Sequence, residues 1–124
     1  MTRIIVSSLI VAALSAVLFL VPASAMTHPK LTGVTGPADA YKITLKDAKG
    51  KLVKTLKAGT YTFVIHDDST LHSFALDGPH GFAKDFTTVA FKGTKTATVK
   101  LKAGKYKYYC AAHESIMFHF FTVK

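Results

Sequence analysis

One short segment near the end of the chain carries three side chains that bind soft transition metals. Cys110, His113 and Met117 lie in the run Cys-Ala-Ala-His-Glu-Ser-Ile-Met, which holds a thiol, an imidazole and a thioether within eight residues. A second histidine, His72, lies upstream, after a segment of strand character. Sulfur ligands favour Cu(I), and imidazoles suit copper in both oxidation states, so this set favours a copper ion that gains and loses one electron.

Each of these residues also has a purely structural interpretation. A single cysteine at the end of a buried strand usually acts as a small apolar side chain, and Met117 could simply fill the core. The combined spacing C-x2-H-x3-M, with a histidine upstream, favours the ligand interpretation. Two imidazoles and one thiolate in a plane, with a distant thioether, form a type 1 copper arrangement. The single cysteine also excludes an internal disulfide framework and a Cys-rich zinc module.

The segments that must position these ligands have β character. Alternating or β-branched runs predict strands at 41–46, 52–56, 60–65, 74–76, 96–101, 105–109 and 118–123. No stretch after the N-terminal segment shows a convincing helical period. Residues 26–38, rich in Thr, Gly and Pro, predict an irregular lead-in, and residues 79–91 predict a loop.

A repeat and the strand parity predict how the sheets are arranged. The run Leu56-Lys-Ala-Gly-Thr-Tyr matches Leu101-Lys-Ala-Gly-Lys-Tyr, which suits two similar corners of a Greek-key sandwich. Alternation predicts two inward-facing rows, Tyr61-Phe63-Ile65 and Tyr106-Tyr108-Cys110. The cysteine therefore leaves its strand on the buried face, where the loop that contains His72 can meet it at one end of the sandwich.

The first 25 residues predict a secretory signal. Arg3 precedes an apolar run over residues 4–21, and Pro22 and Ala23-Ser-Ala25 follow as a helix breaker and a cleavage motif. The alternative is an uncleaved membrane anchor, for which this run is near the lower limit of length. We expect cleavage after Ala25 and export to the periplasm or the medium, where a single unpaired cysteine needs an explanation.

Composition limits the functions open to the remaining chain. The length of 124 residues suits one domain, which we expect over residues 40–124, with residues 26–39 leading into it. The formal net charge is +9, and Arg3 is the only arginine. Because nucleic-acid readers usually use arginine for bidentate contacts, we expect no nucleic-acid partner. The sequence has no Gly-rich phosphate loop, which argues against a nucleotide-dependent enzyme.

The ligand run, the two corners and the end of the chain resemble the cupredoxins, in particular small secreted plastocyanin-like domains. The resemblance spans about Tyr41 to Val123 and rests on the two corners, His72-Ser-Phe74, Tyr109-Cys-Ala-Ala-His-Glu-Ser-Ile-Met117 and Phe121-Thr-Val123. It implies an all-β Greek-key β-sandwich that shuttles single electrons. It also implies one type 1 copper ion, with His72, Cys110 and His113 as equatorial ligands and Met117 as the axial ligand.

Two positions depart from the family pattern. The family often has Asn after the first ligand, where this chain has Ser73, a side chain that reaches less far. Two residues after the axial Met the family usually has Gly, where this chain has His119. The imidazole of His119 could crowd the site, compete as a ligand or point outward. We assign no metal role to the remaining histidines, which are His28, His66 and His80.

Several functions are compatible with this sequence. We expect a type 1 copper electron carrier outside the cytoplasm; the alternative is copper storage, delivery or scavenging with the same ligands. A third hypothesis is a binding module whose metal site is unused. An enzyme with a Cys110–His113 nucleophilic pair lacks an orienting acid, because Glu114 is adjacent but need not face the thiol. We therefore expect no enzymatic activity.

The lysines have two interpretations. Lysines on strands are usually solvated and discourage edge-to-edge pairing. They could also steer the protein towards an acidic redox partner or an anionic membrane surface. Ala111, Ala112 and Phe118 could form an apolar docking patch around His113, and Tyr109 offers a second electron route beside the cysteine. We expect a monomer.

Overall fold

Strands make up most of the part of the chain that the structure describes. The computed structural model describes residues 27–124, so the predicted signal segment lies outside the described residues. Within this range there are nine strands and three short 3-10 turns. The strands are β1 (Lys30–Thr35), β2 (Ile43–Lys46), β3 (Thr55–Leu56), β4 (Gly59–Asp67), β5 (Phe74–Asp77), β6 (Ala83–Thr87), β7 (Gly93–Leu101), β8 (Gly104–Tyr109) and β9 (Phe118–Val123). The 3-10 turns are Pro37–Asp39, Pro79–Gly81 and Ala111–His113.

The strands form two mixed sheets that share one core. One sheet has the order β2-β1-β4-β7, and the other has the order β3-β9-β8-β5-β6. β1 runs parallel to β4 and β3 parallel to β9, whereas the other neighbours are antiparallel. The chain changes sheet five times, after β2, β3, β4, β6 and β7. The predicted all-β Greek-key sandwich is confirmed.

The inner faces of the two sheets contain the side chains that were predicted to face inward from the alternation along each strand. Every second residue is buried in the central part of β4, and the same is true of β8 from Tyr106 to Tyr108. The buried set includes Tyr61, Phe63, Ile65, Tyr106, Tyr108 and Cys110. The Phe74 ring of β5 stacks on Tyr108 of β8, with ring centroids 5.6 Å apart. The prediction that Cys110 faces inward at the end of β8 is therefore confirmed.

The irregular lead-in predicted for residues 26–38 is wrong over residues 30–35. These residues form β1, which lies between β2 and β4 inside the four-stranded sheet. Gly33 suggested a loop but is a packing position, because a β-carbon there would lie 2.5 Å from Ile65 Cδ1 and 2.8 Å from the Phe74 ring. A sequence alone does not distinguish a glycine required by close packing from a glycine in a turn. The sandwich therefore begins before residue 40.

The loop predicted for residues 79–91 is wrong in its middle. Residues 83–87 form β6, an edge strand whose pairing with β5 contains a register shift between Phe74 and Ala75. Only Phe86 and Thr87 are buried in this strand, so the alternation of buried and exposed positions is too weak to predict it.

The part of the chain that the structure describes, residues 27–124, contains no helix with the length and apolar character needed to span a membrane.

Both copies of the repeat form corners that are closed by their tyrosines. The Tyr61 hydroxyl donates a hydrogen bond to the Lys57 carbonyl at 2.7 Å, and the Tyr106 hydroxyl donates to the Lys102 carbonyl at 2.9 Å. One corner leads into β4 of the four-stranded sheet, and the other leads into β8 of the five-stranded sheet. The predicted equivalence of the two corners is confirmed.

Candidate metal centre

The loops that follow β4 and β8 meet at one end of the sandwich. His72 lies on the loop between β4 and β5, Cys110 follows β8, and His113 lies in the next 3-10 turn. The Nδ1 atoms of His72 and His113 are 3.2 Å apart, and Cys110 Sγ lies 3.7 Å from each of them. Folding therefore brings these three predicted ligands together. Their assignment as metal ligands stays a prediction.

This triangle of donor atoms has the right size for a metal ion. With sides of 3.2, 3.7 and 3.7 Å, a point equidistant from the three atoms lies about 2 Å from each, close to the roughly 2.0–2.3 Å that nitrogen and sulfur ligands take around zinc. Two imidazoles and one thiolate are the ligand set of trigonal His2Cys sites. Within residues 27–124, this is the one cluster of at least three His, Cys, Asp or Glu residues with this proximity.

A hydrogen-bonded loop fixes the spacing of Cys110, His113 and Met117. The Cys110 N–H donates to the Met117 carbonyl at 3.0 Å, which closes the loop where β8 meets β9. Inside the loop, the His113 N–H donates to the Cys110 carbonyl at 3.1 Å, and the Met117 N–H donates to the His113 carbonyl at 2.8 Å. Met117 is buried, and His113 is half-buried. The axial role of Met117 also stays a prediction.

Ser73 links the two ligand loops. Its N–H donates to Cys110 Sγ at 3.3 Å, and its hydroxyl lies 3.9 Å from the same sulfur. Its Oγ accepts the Ala111 N–H at 2.9 Å, and its carbonyl accepts the Thr35 hydroxyl at 3.0 Å. Although a serine is shorter than an asparagine, it still connects the loops here. Hydrogen-bond donors at the sulfur stabilise its negative charge.

The segment between β1 and β2, which the sequence analysis missed, lies against His72. Gly36 has a φ of 64°, and a β-carbon there would lie 2.7 Å from His72 Cδ2. The Nε2 atom of His72 lies 3.3 Å from the Asp39 carbonyl. When this nitrogen carries the proton, it donates to the carbonyl and leaves the Nδ1 lone pair facing Cys110. A backbone carbonyl carries no residue-type signature, so the sequence offered no signal for Asp39.

His119 lies outside the His72–Cys110–His113 cluster. Its ring is exposed on β9, with its centroid 5.5 Å from that of Tyr108. It lines a crevice of about 400 Å³ between β2 and β9, and Met117 lines the same crevice. The other histidines of the described range also lie outside the cluster; His66, for example, pairs its Nδ1 with the Thr94 hydroxyl at 3.1 Å.

Two ionisable side chains next to the ligand loops have raised pKa values. Burial raises the pKa of Asp67, more than the nearby Thr87 side chain and the hydrogen bond from the Ser69 N–H lower it. One oxygen of Asp67 accepts the Ser69 N–H at 3.2 Å, and the other has no hydrogen-bond partner within residues 27–124. Burial, together with the negative charge of Asp77, raises the pKa of Tyr109 to about 12. The Tyr109 hydroxyl donates to Asp77 at 3.2 Å.

Glu114 faces a lysine. Its Oε1 lies 2.9 Å from Lys107 Nζ in an ion pair that is partly exposed to solvent. Such surface pairs contribute little to stability. Glu114 is the one carboxylate directly beside the Cys110–His113 pair in the sequence. Because it pairs with Lys107, it does not orient the His113 imidazole for nucleophilic chemistry.

Comparisons with known proteins define the class of fold. No protein-family model and no curated protein sequence matches the chain. Reduced rusticyanin matches with a TM-score of 0.52 at 19% identity over 77% of this chain and 78% of that chain. A second structure, of the copper protein rusticyanin, gives 0.50 at 19% identity over 77% and 76%. Amicyanin from Paracoccus versutus gives 0.36 at 24% identity over 74% of this chain and 91% of that chain.

The fold is that of the cupredoxins, as the resemblance in the sequence implied. At these identities the similarity to rusticyanin establishes the fold alone. What this chain adds is its own cluster of two imidazoles and one thiol at the end of the sandwich, which could hold a metal ion.

Proposed function

We propose that this protein is a type 1 copper protein that carries single electrons between redox partners outside the cytoplasm. The observation that carries this proposal is the triangle formed by Cys110 Sγ and the Nδ1 atoms of His72 and His113, which has the composition of a trigonal His2Cys site. The fold supports it, since rusticyanin is a copper protein of similar fold. Met117, buried at the end of the same loop, is the proposed axial ligand.

A copper ion held by these residues would supply reversible one-electron chemistry. The chain supplies a rigid ligand set. The Asp39 carbonyl and the close backbone at Gly36 hold His72, and Ser73 holds Cys110. Because each of these ligands has a second contact, its position needs to change little when the charge at the site changes. Small changes in position favour fast electron transfer.

His113 is the proposed point of electron entry. It is half-buried, whereas His72 and Cys110 are fully buried. The exposed side chains of Ala111, Ala112 and Phe118 offer apolar surface on the same loop and at the start of β9. A partner can approach Ala111 and Ala112 without removing water from charged groups, whereas Lys107 Nζ lies 5.0 Å from the centroid of the Phe118 ring. The excess of lysine favours an acidic partner or an anionic membrane surface.

Titration of the metal-free protein with Cu(II) tests this proposal. We expect one equivalent of copper to produce an intense visible thiolate-to-copper band and the corresponding electron paramagnetic resonance signal. The band should be absent in Cys110→Ser and should persist in His119→Ala, the matched control outside the ligand triangle. Full copper loading without a thiolate band in the native sequence would contradict the proposal.

A second candidate function is copper storage, delivery or scavenging with the same ligands. The exposed imidazole of His119 favours it, because His119 and Met117 line one solvent-accessible crevice. Slow electron self-exchange combined with ready release of copper to a chelator would favour this function. Fast self-exchange with slow release would favour the carrier.

The proposed location rests on the first 25 residues, whose sequence has the three parts of a secretory signal. Expression of the full chain in a Gram-negative host, followed by N-terminal sequencing of the periplasmic protein, tests the location. We expect the processed chain to begin at Met26. An unprocessed N-terminus in the membrane fraction would support an anchor instead.

A further inference from the structure

The aromatic ring of Tyr41 packs against both imidazoles of the metal centre. Its centroid lies 5.1 Å from that of His72, with an interplanar angle of 73°, and 4.8 Å from that of His113, with an angle of 82°. The two imidazoles are themselves 4.9 Å apart. The three rings therefore form one cluster of edge-to-face contacts, a geometry that is favourable for aromatic pairs.

The backbone around Tyr41 holds this ring over the site. The Gly36 N–H donates to the Lys42 carbonyl at 2.9 Å, which closes the segment between β1 and β2 into a compact loop. Inside it, the Ala40 N–H donates to the Pro37 carbonyl at 3.0 Å. The same loop contacts His72 on the Nε2 side of its ring, through the Asp39 carbonyl. The Tyr41 ring is thus attached to the part of the chain that also orients one ligand.

Tyr41 lies on the solvent side of the centre. Its side chain is 62% exposed, although His72 and Cys110 beneath it are fully buried. It also lines the crevice that Met117 lines. A large aromatic side chain left this exposed gains little from its own burial. Its main contacts with other rings are with the two imidazoles, which suggests a role at the metal centre rather than in the core.

We propose that Tyr41 is a positioning residue of the metal centre, whose ring holds the two imidazoles in place and slows the loss of bound metal. This inference rests on the proposed function. For a ligand to swing away from the metal, the His113 ring must move, and it contacts the Tyr41 ring. Removing the ring therefore frees His113, the ligand that is already half-exposed. The phenol hydroxyl has no part in this role.

Three variants test this role through the rate of metal loss. Tyr41→Leu removes the ring, Tyr41→Phe keeps it, and Leu52→Ala changes another exposed side chain that lines the same crevice. Each protein is loaded with copper and mixed with excess chelator, and the decay of the thiolate band is followed. We expect Tyr41→Leu to lose copper about tenfold faster than the native sequence, the scale of losing two aromatic contacts. Tyr41→Phe and Leu52→Ala should stay within about twofold.

Two further measurements use the metal-free protein. Nuclear Overhauser contacts between the Tyr41 ring protons and both imidazoles should be present in the native sequence. Tyr41→Leu should change the free energy of unfolding of the metal-free protein by well under the roughly 1.4 kcal/mol that corresponds to a tenfold change in rate. The reason is that the ring is mostly exposed. A loss of stability that accounts for the whole increase in rate would overturn the positioning role.

The outcomes separate this inference from the proposed function. If the native protein gives no thiolate band, both fail. If the band forms and Tyr41→Leu releases copper at the native rate, the role of Tyr41 fails and the proposed function stands. If Tyr41→Phe releases copper as fast as Tyr41→Leu, the hydroxyl and not the ring is responsible, which also overturns the inference.

Discussion

At the scale of single residues, backbone groups orient the predicted ligands as much as side chains do. The Asp39 carbonyl lies beside the Nε2 atom of His72, and the Ser73 N–H donates to the sulfur of Cys110. The ligand types could be predicted from the spacing of Cys110, His113 and Met117. The groups that orient these ligands could not be predicted, because every residue type has the same backbone carbonyl and nearly every residue type has the same backbone N–H.

Ser73→Ala should weaken the link between the two ligand loops. The Ala111 N–H loses its acceptor, which should cost about 1 kcal/mol of unfolding free energy in the metal-free protein. The sulfur of Cys110 also loses the nearby hydroxyl. The reduced state, in which the sulfur carries more negative charge, then loses more stabilisation than the oxidised state, so the reduction potential of the copper form should fall. Chemical denaturation and voltammetry measure the two effects. Ser115→Ala, an exposed serine on the same loop, is the control, and equal effects in both variants would contradict the role of Ser73.

Asp67→Asn should change the pH dependence of stability. Burial raises the pKa of Asp67, so the folded chain binds this proton more tightly than the unfolded chain. Its contribution to stability is present below the ordinary carboxyl pKa and is lost as pH rises through the folded pKa. The variant, which has no charge to bury, should therefore gain stability relative to the native chain as pH rises above about 4, the ordinary pKa of an aspartate. Denaturant unfolding of both metal-free proteins checks this, and a difference that does not vary with pH would contradict it.

At the scale of elements, the strong strands and the corners could be predicted, and β1 and β6 could not. Strands β4 and β8 alternate buried and exposed positions over several residues, and β9 does so over its last four, which makes their pattern visible in the sequence. β1 alternates too, but glycine and threonine occupy two of its three buried positions. In β1, the central position is Gly33, which is required by the approach of Ile65 and the Phe74 ring. That requirement arises only when two strands and the opposite sheet pack together. Missing β1 also meant missing the loop after it, which carries Asp39. Tyr41, predicted as the first residue of a strand, lies in this loop because β2 begins only at Ile43.

Removing either corner hydroxyl should cost a similar amount of stability. Tyr61→Phe and Tyr106→Phe each break one hydrogen bond to the carbonyl four residues earlier. We expect each to lower the free energy of unfolding by about 1 kcal/mol. Equilibrium denaturation measures both, with Tyr41→Phe as a control on a mostly exposed ring. A large loss in one corner and none in the other would show that the two copies of the repeat are not equivalent.

At the scale of the whole molecule, the lysines lie both on strands and in loops, and some of those on strands partly cover aromatic rings. Lys105 Nζ lies 4.2 Å from the centroid of the Phe120 ring, and Lys107 Nζ lies 5.0 Å from that of Phe118. Lysine stems can cover apolar surface while their ammonium groups stay in water. The lysines of β8 therefore shield the exposed aromatic face of β9 and still contribute to the overall positive field.

The net charge should control the rate of electron transfer with small charged reagents. For the copper-loaded protein, the bimolecular rate constant with an anionic iron complex should fall as ionic strength rises, because salt screens the attraction. With a cationic cobalt complex the rate constant should rise instead. Stopped-flow measurements from about 10 mM to 500 mM salt cover the range in which the Debye length shortens several-fold. The same salt dependence for both reagents would contradict long-range steering by the lysines.

The most direct test of the central claim is a crystal structure of the copper-loaded protein with anomalous scattering at the copper edge. We expect one copper ion about 2 Å from the two Nδ1 atoms of His72 and His113 and slightly farther from Cys110 Sγ, with the three side chains nearly in the positions described above. Copper bound elsewhere, for instance at His119 with the cysteine uncoordinated, would contradict a preset centre at this end of the sandwich.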